Sequence, residues 1–202
     1  MPGTGILIQS IKMKIEKTEI AGLLIITPDV FHDERGFFFE SFNADKYSAQ
    51  KLPTNFVQDN ISKSKYGTIR GLHYQVGKYA QGKLCSVLMG KVLDVAVDIR
   101  FGSPTFGNHI AVELNTENKK QFLIPPGFAH GFSVLSDEVL FSYKCTSVYH
   151  KESERSILFN DIDLNIDWNI ENPVISLKDL SAKKFKEIEK DFFFTTEYGY
   201  FL

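Results

Sequence analysis

The 202-residue sequence has little cysteine and no strong excess of either charge. Its two cysteines, Cys85 and Cys145, both lie in apolar, strand-like runs. This favours reduced, packed thiols and a cytoplasmic location over a disulfide framework. The 23 basic and 25 acidic residues give a net charge of −2, which does not favour nucleic acid or an anionic membrane as a partner. An anionic ligand would therefore be held by local positive charge.

Long apolar segments and the common nucleotide-binding loops are also missing. No apolar run approaches about 18 residues, and the N-terminal apolar patch lacks the charged region and cleavage site of a signal peptide, so we expect neither membrane insertion nor secretion. The sequence contains no G-x-x-x-x-G-K-[ST] and no G-x-G-x-x-G, which argues against a P-loop or Rossmann phosphate site. The five histidines form no H-x-H cluster, so no metal site is expected.

Short β-rich runs separated by turn signals follow one another through the middle of the chain. They are expected at residues 56–62, 68–75, 84–89, 92–99, 109–114, 120–124, 130–135, 139–148 and 156–159. This spacing without intervening helices predicts an all-β sandwich, jelly roll or barrel. The hydrophobic content of 43% suffices for one domain over residues 1–202, with its β core at about 19–160.

Helix signals occur at two places. Asn43 can cap a short helix that runs to Gln50. Ser176 and Asp179 have the S-x-x-D spacing of a capping box, and an apolar stripe follows at helical spacing, formed by Leu180, Phe185, Ile188 and Phe192. We therefore expect a C-terminal helical segment at about 176–192 that packs onto the β core.

The stretch FHDERGFFFESF, residues 31–42, is unusually aromatic. Successive strand side chains alternate between faces, so its phenylalanines cannot all point into one core. The residues alone leave two interpretations open, namely sheet packing throughout, or some rings that stack on a planar ligand or form a subunit interface.

His73 is the first candidate for acid–base chemistry. It lies in residues 67–100, where short β-rich runs flank a polar, glycine-punctuated segment, and by strand alternation it shares its face with no apolar residue. A carboxylate partner would orient the imidazole and raise its basicity. Sequence spacing leaves Asp94, Asp98 and Asp179 as candidates for that partner.

Further groups could complete such chemistry and bind an anion. Tyr143 could donate a proton, although strand alternation also fits a core tyrosine. Lys83 could stabilise a developing oxyanion, or could be a surface lysine. Arg35, Arg70 and Lys178 could form a phosphate clamp, because guanidinium groups bind phosphate oxygens bidentately.

Eight segments in one order span about residues 27–179: FHDERGFFFESFN, FVQDNISKSK, IRGLHYQ, QGKL, GKVLDVAVDIRFGSPTFG, IPPGFAHGF, YKCT and S-x-K-D. Together they resemble the dTDP-4-dehydrorhamnose 3,5-epimerase family of deoxysugar biosynthesis. The resemblance implies a mainly β, cupin-like jelly roll that works as a homodimer without metal or organic cofactor. It also implies inversion of C3 and C5, on either side of a 4-ketone, in dTDP-4-dehydro-6-deoxy-D-glucose, toward dTDP-L-rhamnose.

The resemblance also implies roles at matching positions. His73 would be the base that removes the proton α to the ketone, with Asp179 as its carboxylate partner. Tyr143 would return a proton from the opposite ring face, and Lys83 would stabilise the enolate oxygen. The positions that match substrate-binding residues are Phe31, Arg35, Glu40, Gln58, Asn60, Arg70, Lys83, His130, Tyr149, Glu154 and Lys178, of which Phe31 and Tyr149 would stack on thymine.

Two positions depart from the family pattern. Val148 stands where the family often has an aromatic residue before Tyr149, and Ser86 stands where many members have arginine. Both bear on base stacking or pocket charge, so the sequence leaves open whether C3, C5 or both are inverted. The alternatives are an epimerase acting at one carbon of another dTDP-4-keto-6-deoxysugar, a cupin that only binds a sugar nucleotide, and a metal-dependent cupin oxygenase.

Overall fold

The computed structural model describes residues 13–195, and β-strands are the main regular secondary structure of this part of the chain. The strands are β1 (Lys14–Lys17), β2 (Leu24–Thr27), β3 (Val30–Asp33), β4 (Gly36–Phe39), β5 (Gln58–Lys65), β6 (Ile69–Gln75), β7 (Lys83–Met89), β8 (Lys91–Asp98), β9 (His109–Asn115), β10 (Gln121–Ile124), β11 (Phe128–Val134), β12 (Glu138–Cys145) and β13 (Glu154–Ser156). The α-helices are α1 (Ala44–Ala49) and α2 (Leu177–Leu180), and short 3-10 helices span Gly77–Tyr79, Lys151–Ser153 and Phe185–Glu187. None of the described helices is long and apolar enough to cross a membrane.

Two antiparallel sheets form the body of the protein. The six-stranded sheet has the order β1-β2-β10-β7-β12-β5, and the five-stranded sheet has the order β13-β6-β11-β8-β9. Strands far apart in sequence lie side by side in both sheets, as in double-sheet jelly rolls. Strands β3 and β4 form a separate hairpin that pairs with no other described strand.

The main core lies between the two sheets. Phe122 of β10 and Phe141 of β12 belong to the same buried cluster as Val92 of β8 and Phe132 of β11. Each of these side chains is at most 4% exposed. Because apolar residues alternate along the strands of the six-stranded sheet, its other face is left for polar side chains or for smaller clusters.

The chain after β13 covers the outer face of the five-stranded sheet. Trp168 packs there with Ile69 and Leu164, and its indole N–H donates to the backbone oxygen of Phe159 at 2.8 Å. The Ser133 hydroxyl of β11 donates to the backbone oxygen of Trp168 at 2.7 Å. As a result, all seven residues of β11 are buried, and the late part of the chain lies against the strands that carry His73 and His130.

The strand predictions agree with the structure to within a few residues. The run expected at 92–99 forms β8 at Lys91–Asp98, and the run expected at 139–148 forms β12 at Glu138–Cys145. Helix α1 begins directly after Asn43, whose side-chain oxygen accepts hydrogen bonds from two backbone N–H groups of the first turn, as predicted. Cys85 and Cys145 are buried and unpaired, as expected. The division into one domain over 1–202 stays a prediction, and the expectations for the N-terminal patch fall on residues outside those described.

A C-terminal helix is present, but it is much shorter than the predicted helical segment at about 176–192. Helix α2 ends at Leu180, and the backbone then pairs with the chain that follows β13. The Leu158 N–H donates to the Lys183 oxygen at 2.8 Å, and the Phe185 N–H donates to Asp161 Oδ2 at 2.8 Å. These tertiary hydrogen bonds replace the i→i−4 bonds that a continued helix would need.

The predicted apolar stripe of this segment is only partly correct. Phe185, Ile188 and Phe192 pack against the cluster on the outer face of the five-stranded sheet. Leu180 is 53% exposed. The segment therefore packs most of the predicted stripe onto the β core, with partly buried side chains, but it does so in a largely irregular conformation.

Candidate active site

A cavity of about 530 Å³ opens between the two sheets, a volume in the usual range for small-molecule sites. Strands β6 and β11 supply one wall, and β5, β7 and β12 supply the other, while residues 174–179 close one side. The cavity brings together seven of the predicted functional residues, which are Arg70, His73, Lys83, His130, Tyr143, Lys178 and Asp179.

His73 and Asp179 form a hydrogen-bonded pair at the cavity wall. The His73 Nε2 lies 2.6 Å from Asp179 Oδ1, and the His73 side chain is 30% exposed, against 5% for Asp179. Burial raises the pKa of Asp179, but the hydrogen bond and charge of His73, together with the Ser176 hydroxyl and the Gly71 backbone, outweigh it and hold that pKa below its ordinary value. The carboxylate is therefore ionised at neutral pH and can orient and stabilise the imidazole.

Helix α2 explains how Asp179 reaches this position. The Ser176 side chain accepts a hydrogen bond from the Asp179 backbone N–H at 3.1 Å, which caps the helix. The capping interaction thus uses the backbone of Asp179 and leaves its carboxylate for His73. In the preceding residues, the Val174 N–H donates to the Gly67 oxygen at 2.8 Å and anchors the segment beside β6.

A β-bulge directs Arg70 and His73 into the same cavity. On β11, His130 lies opposite His73 and Phe132 lies opposite Arg70, so a three-residue step on β6 faces a two-residue step on β11. Residues three apart on a regular strand would point to opposite faces. Strand alternation from His73 alone therefore would not place Arg70 in the cavity.

Gly71 allows this close approach of the two strands. A Cβ atom at Gly71 would lie 2.5 Å from the Cα of Gly131, and its φ is +136°. Only glycine fits both the contact and this backbone conformation.

Tyr143 and Lys83 lie on the same face of neighbouring strands β12 and β7. Lys83 Nζ is 5.8 Å from the centre of the Tyr143 ring, and Lys83 is only 9% exposed, so the interpretation as a surface lysine is wrong. Burial raises the pKa of Tyr143 to about 12. The phenol is therefore protonated at neutral pH and can act as a proton donor.

His130 is held behind Lys83 by a second carboxylate. His130 Nε2 lies 2.7 Å from Asp94 Oδ1, and its Nδ1 lies 3.3 Å from Lys83 Nζ. Burial lowers the pKa of His130, so the ring is neutral and has one donor and one acceptor nitrogen. Nε2–H then donates to Asp94, and Nδ1 accepts from the Lys83 ammonium, which positions that ammonium in the cavity.

The structure selects among the three candidate carboxylate partners of His73. Asp94 bonds to His130 instead. Asp98 is buried and accepts from the Arg100 guanidinium at 2.6 and 2.8 Å, outside the cavity. Asp179 is therefore the carboxylate that contacts His73.

A continuous polar edge starts at Lys178 in the cavity and contains four further predicted binding residues, which are Gln58, Asn60, Tyr149 and Glu154. Lys178 Nζ lies 2.6 Å from Glu154 Oε2, which accepts from the Tyr149 hydroxyl at 3.1 Å. The Tyr149 N–H donates to Gln58 Oε1 at 2.8 Å, and Gln58 Nε2 donates to Asn60 Oδ1 at 3.0 Å. Tyr149 is 52% exposed, so its ring is available to a planar ligand.

The remaining predicted binding residues, Phe31, Arg35 and Glu40, do not line this cavity. They lie in or beside the β3–β4 hairpin. The Arg35 guanidinium is 85% exposed and pairs with Asp33, 3.1 Å from Nε to Oδ2. Glu40 accepts from Asn43 Nδ2 at 2.9 Å. Within one chain the expected phosphate clamp is therefore reduced to Arg70 and Lys178, because Arg35 does not line the cavity.

Some cavity residues were not found from the sequence. Ser62 of β5 and Phe132 of β11 line the cavity and lie within the segments FVQDNISKSK and IPPGFAHGF, but the sequence assigned them no role, and the cavity is also lined by Val174 and Ile175, which lie outside all of the quoted segments. The nearness of the last two to the S-x-K-D segment is the only signal that could have identified them.

One group of the described residues could hold a metal ion. Cys85 of β7, Asp94 of β8 and His130 of β11 offer a sulfur, a carboxylate oxygen and a ring nitrogen that lie within 4.8 Å of one another, and all three are buried. A local H-x-H pattern does not indicate this group, because its members come from three different strands.

Comparison with known proteins identifies the family. The model of the dTDP-4-dehydrorhamnose 3,5-epimerase family matches residues 17–187. The chain belongs to this family. It is 53% identical over 182 residues to the dTDP-4-dehydrorhamnose 3,5-epimerase of Shigella flexneri, an alignment that covers 90% of this chain and 99% of the relative.

Solved structures of related epimerases share the fold. The dTDP-6-deoxy-D-glucose-3,5-epimerase of Legionella pneumophila Philadelphia 1, in complex with dTDP-4-keto-L-rhamnose, matches with a TM-score of 0.87 and 52% identity, over 91% of this chain and 100% of that chain. A double mutant of a 3′-monoepimerase from Streptomyces bikiniensis, in complex with dTDP, matches with a TM-score of 0.79 and 31% identity, over 84% and 86%. The predicted family and its cupin-like jelly roll are confirmed.

Proposed function

We propose that this member of the 3,5-epimerase family inverts C3 and C5 of dTDP-4-dehydro-6-deoxy-D-glucose and forms dTDP-4-dehydro-L-rhamnose, toward dTDP-L-rhamnose. The observation that carries the proposal is one cavity lined by a carboxylate-bound imidazole, a protonated phenol and a buried lysine. Inversion beside a ketone needs a base, an acid and an oxyanion stabiliser, and these three groups supply one of each.

His73 removes the proton next to the ketone. Such a proton is acidic only because the resulting enolate spreads its charge onto the carbonyl oxygen. Asp179 holds the ring through Nε2, which leaves the other ring nitrogen for the substrate proton. When the ring becomes positively charged, the ionised carboxylate 2.6 Å away stabilises it.

Lys83 stabilises the enolate oxygen. Its ammonium is held by the neutral His130, and Asp94 holds the far side of that ring, so the charge is in place before the reaction begins. A preorganised positive charge in a buried site acts more strongly on a developing oxyanion than the same charge in water.

Tyr143 returns a proton from the opposite face of the sugar ring. Burial keeps the phenol protonated until the enolate carbon requires the proton. After each inversion His73 carries one proton more and Tyr143 one proton fewer. Both groups must exchange with solvent before the second carbon reacts, so deuterium from heavy water should enter at each inverted carbon.

The nucleotide occupies the polar edge that extends from the cavity. Arg70 and Lys178 meet the diphosphate, and the exposed ring of Tyr149 stacks on thymine. Gln58, Asn60, Glu154 and His130 complete the proposed binding set, with His130 acting through Lys83.

The protein works as a homodimer whose sites are shared. Phe31, Arg35 and Glu40 match nucleotide-binding positions of the family but lie outside their own chain's cavity, and the nearby Phe37 and Phe38 are 55% and 66% exposed. A second copy would bring the hairpin to the partner's cavity and cover these rings. Mixing an Arg35→Ala chain with a His73→Ala chain tests this, because activity recovers only if two chains build one site.

The reaction needs no metal or organic cofactor, since the side chains above provide every proton transfer and the charge for the enolate. The location is cytoplasmic, which the buried, unpaired Cys85 and Cys145 support.

Deuterium incorporation tests the activity. The protein is incubated with dTDP-4-dehydro-6-deoxy-D-glucose in heavy water, and the sugar is examined by proton NMR. We expect deuterium at both C3 and C5, with product couplings of the L-sugar. The second candidate is an epimerase acting at one carbon, which the shared fold of the Streptomyces bikiniensis 3′-monoepimerase favours and which would label one carbon only. Labelling at neither carbon would leave a sugar-nucleotide-binding protein, and loss of activity after chelation would indicate a metal-dependent enzyme.

A further inference from the structure

Three buried donor groups meet behind the cavity wall. Cys85 Sγ lies 3.6 Å from His130 Nε2, and the same nitrogen lies 2.7 Å from Asp94 Oδ1. Cys85 and Asp94 are 0% exposed and His130 is 6% exposed. Thiolate, carboxylate and imidazole are the three side-chain ligands that zinc uses in proteins.

The second carboxylate oxygen of Asp94 supports a ligand at this place. Asp94 Oδ2 is buried and has no hydrogen-bond partner among residues 13–195. A buried polar atom without a partner is costly, and such atoms are uncommon in folded proteins. A cation bound by Asp94 would satisfy it.

We propose that Cys85, Asp94 and His130 form an inhibitory site for a thiophilic divalent cation such as Zn²⁺. A thiolate and a carboxylate together neutralise the two positive charges of the ion, and the imidazole is a neutral third ligand. His130 also lines the cavity, so a water molecule on the cavity side can complete the coordination.

Binding changes the protons at the site. The Cys85 thiol loses its proton to solvent, and the proton on His130 Nε2 moves to Nδ1. A protonated Nδ1 can no longer accept the hydrogen bond from Lys83 Nζ, which now spans 3.3 Å. The ion therefore removes the contact that positions the lysine.

Inhibition follows from this change, and that step alone rests on the proposed function. Without its acceptor, the Lys83 ammonium moves away from the enolate oxygen that it is proposed to stabilise. The onset should be slow, because two of the three ligands are fully buried and the ion must enter past His130 from the cavity.

The binding test uses chelator-treated protein without nucleotide, since a diphosphate would itself bind metal. Co²⁺ is titrated as a spectroscopic probe, because cobalt bound to thiolate shows a charge-transfer absorption that cobalt on surface carboxylates or imidazoles lacks. The chain has only two thiols, so Cys145→Ser is the matched control for Cys85→Ser. Mg²⁺ serves as the hard cation that this donor set should not bind.

We expect one Co²⁺ per chain with a thiolate band in the wild type and in Cys145→Ser, and no thiolate band in Cys85→Ser. Zn²⁺ affinity by competition should fall at least about tenfold in Cys85→Ser, since a direct ligand is lost. Absence of a thiolate band in the wild type, or an equal band in Cys85→Ser, would overturn the proposal.

A kinetic test separates inhibition from binding. Epimerisation is measured after preincubation with and without Zn²⁺, for the wild type and for Cys85→Ser. We expect slow inhibition of the wild type that a chelator reverses, and resistance in Cys85→Ser. Equal inhibition of both would show that zinc acts elsewhere. A protein that shows the cobalt band but no epimerisation even without metal would retain the metal site and lose the proposed activity.

Discussion

The two histidine–carboxylate pairs of the cavity have nearly equal hydrogen bonds but different surroundings. His73 and Asp179 are joined over 2.6 Å, and His130 and Asp94 over 2.7 Å. The His73 side chain is 30% exposed, whereas that of His130 is 7% exposed. Both ring nitrogens of His130 are occupied, one by Asp94 and one by Lys83. A carboxylate partner alone therefore does not make a histidine a general base. The substrate must also reach a ring nitrogen that has no other partner.

The two pairs also differ in how they are built. His130 and Asp94 lie on neighbouring central strands, β11 and β8, inside the packed body of the sheet. His73 and Asp179 connect strand β6 with helix α2, which belongs to the late part of the chain. Changes to the first pair should therefore affect folding most, and changes to the second pair should affect chemistry most.

The largest expected effect comes from removing the exposed imidazole. His73→Ala should lower the rate of deuterium exchange by roughly 10³-fold or more, because a general base contributes about 10² to 10⁴ and its oriented partner adds to it. Thermal unfolding should change little. Exchange at the wild-type rate, measured by NMR in heavy water, would remove His73 from the role of base.

Replacing the proposed acid, Tyr143, should affect exchange and inversion differently. Tyr143→Phe should retain part of the exchange catalysed by His73 but lower the rate of inverted product by about 10²-fold, since the proton must return from the other face. NMR distinguishes label retained in the original configuration from label in the inverted one. A variant that loses exchange and inversion equally would contradict separate roles for the two groups.

The two carboxylates, Asp94 and Asp179, should contribute differently to stability. Asp94→Ala should lower the free energy of unfolding by about 3 kcal/mol, because it leaves His130 and the buried Lys83 without their negative partner. Asp179→Ala should cost about 1 kcal/mol, since the half-exposed ring of His73 can bond to water instead. Urea unfolding measures both. Equal losses would show that burial does not distinguish the pairs.

The smallest expected effect is a difference in pH dependence. Burial lowers the pKa of His130 from its ordinary 6.5, so below pH 6.5 the unfolded chain takes up a proton that the folded chain does not. Stability should therefore fall as the pH drops through this range, by at most about 1.4 kcal/mol per pH unit for one histidine. The pKa of Asp179 is lowered from 3.8, so its contribution is lost only in more acidic solution.

The variant His130→Gln isolates the contribution of His130 to the pH dependence of stability below pH 6.5. His109, whose pKa burial also lowers, contributes equally to both proteins, so the difference between their urea-unfolding curves at pH 7.5 and pH 5.5 reports on His130. The variant should have the weaker pH dependence. If the two proteins show the same pH dependence of stability, then His130 takes up its proton in the folded state over the same pH range as in the unfolded chain.

Local patterns predicted the strands well, because alternation, turn residues and apolar runs are properties of neighbouring residues. The run that forms β8 and the cap at Asn43 are examples. The C-terminal helix was predicted too long for the opposite reason, since Lys183 and Phe185 bond to residues more than twenty positions away. No propensity within the segment reports those partners.

The residues of the candidate active site could be predicted only where they lie in a motif of the family. Spacing left Asp94, Asp98 and Asp179 equivalent as partners of His73, and only resemblance to the family favoured Asp179. The bulge that directs Arg70 into the cavity depends on pairing with β11, which strand alternation ignores. The group formed by Cys85, Asp94 and His130 draws its members from three strands. Its cysteine lies in an apolar run, and that pattern predicts a core residue.

Helix α2 makes the order of events along the chain matter. A chain interrupted before Ser176 would still contain every strand of both sheets, together with His73, Lys83 and Tyr143. It would lack the carboxylate that completes the base. Catalytic activity should therefore arise late in synthesis, after nearly all of the described residues have been made. A chain whose synthesis stops before helix α2 should be inactive.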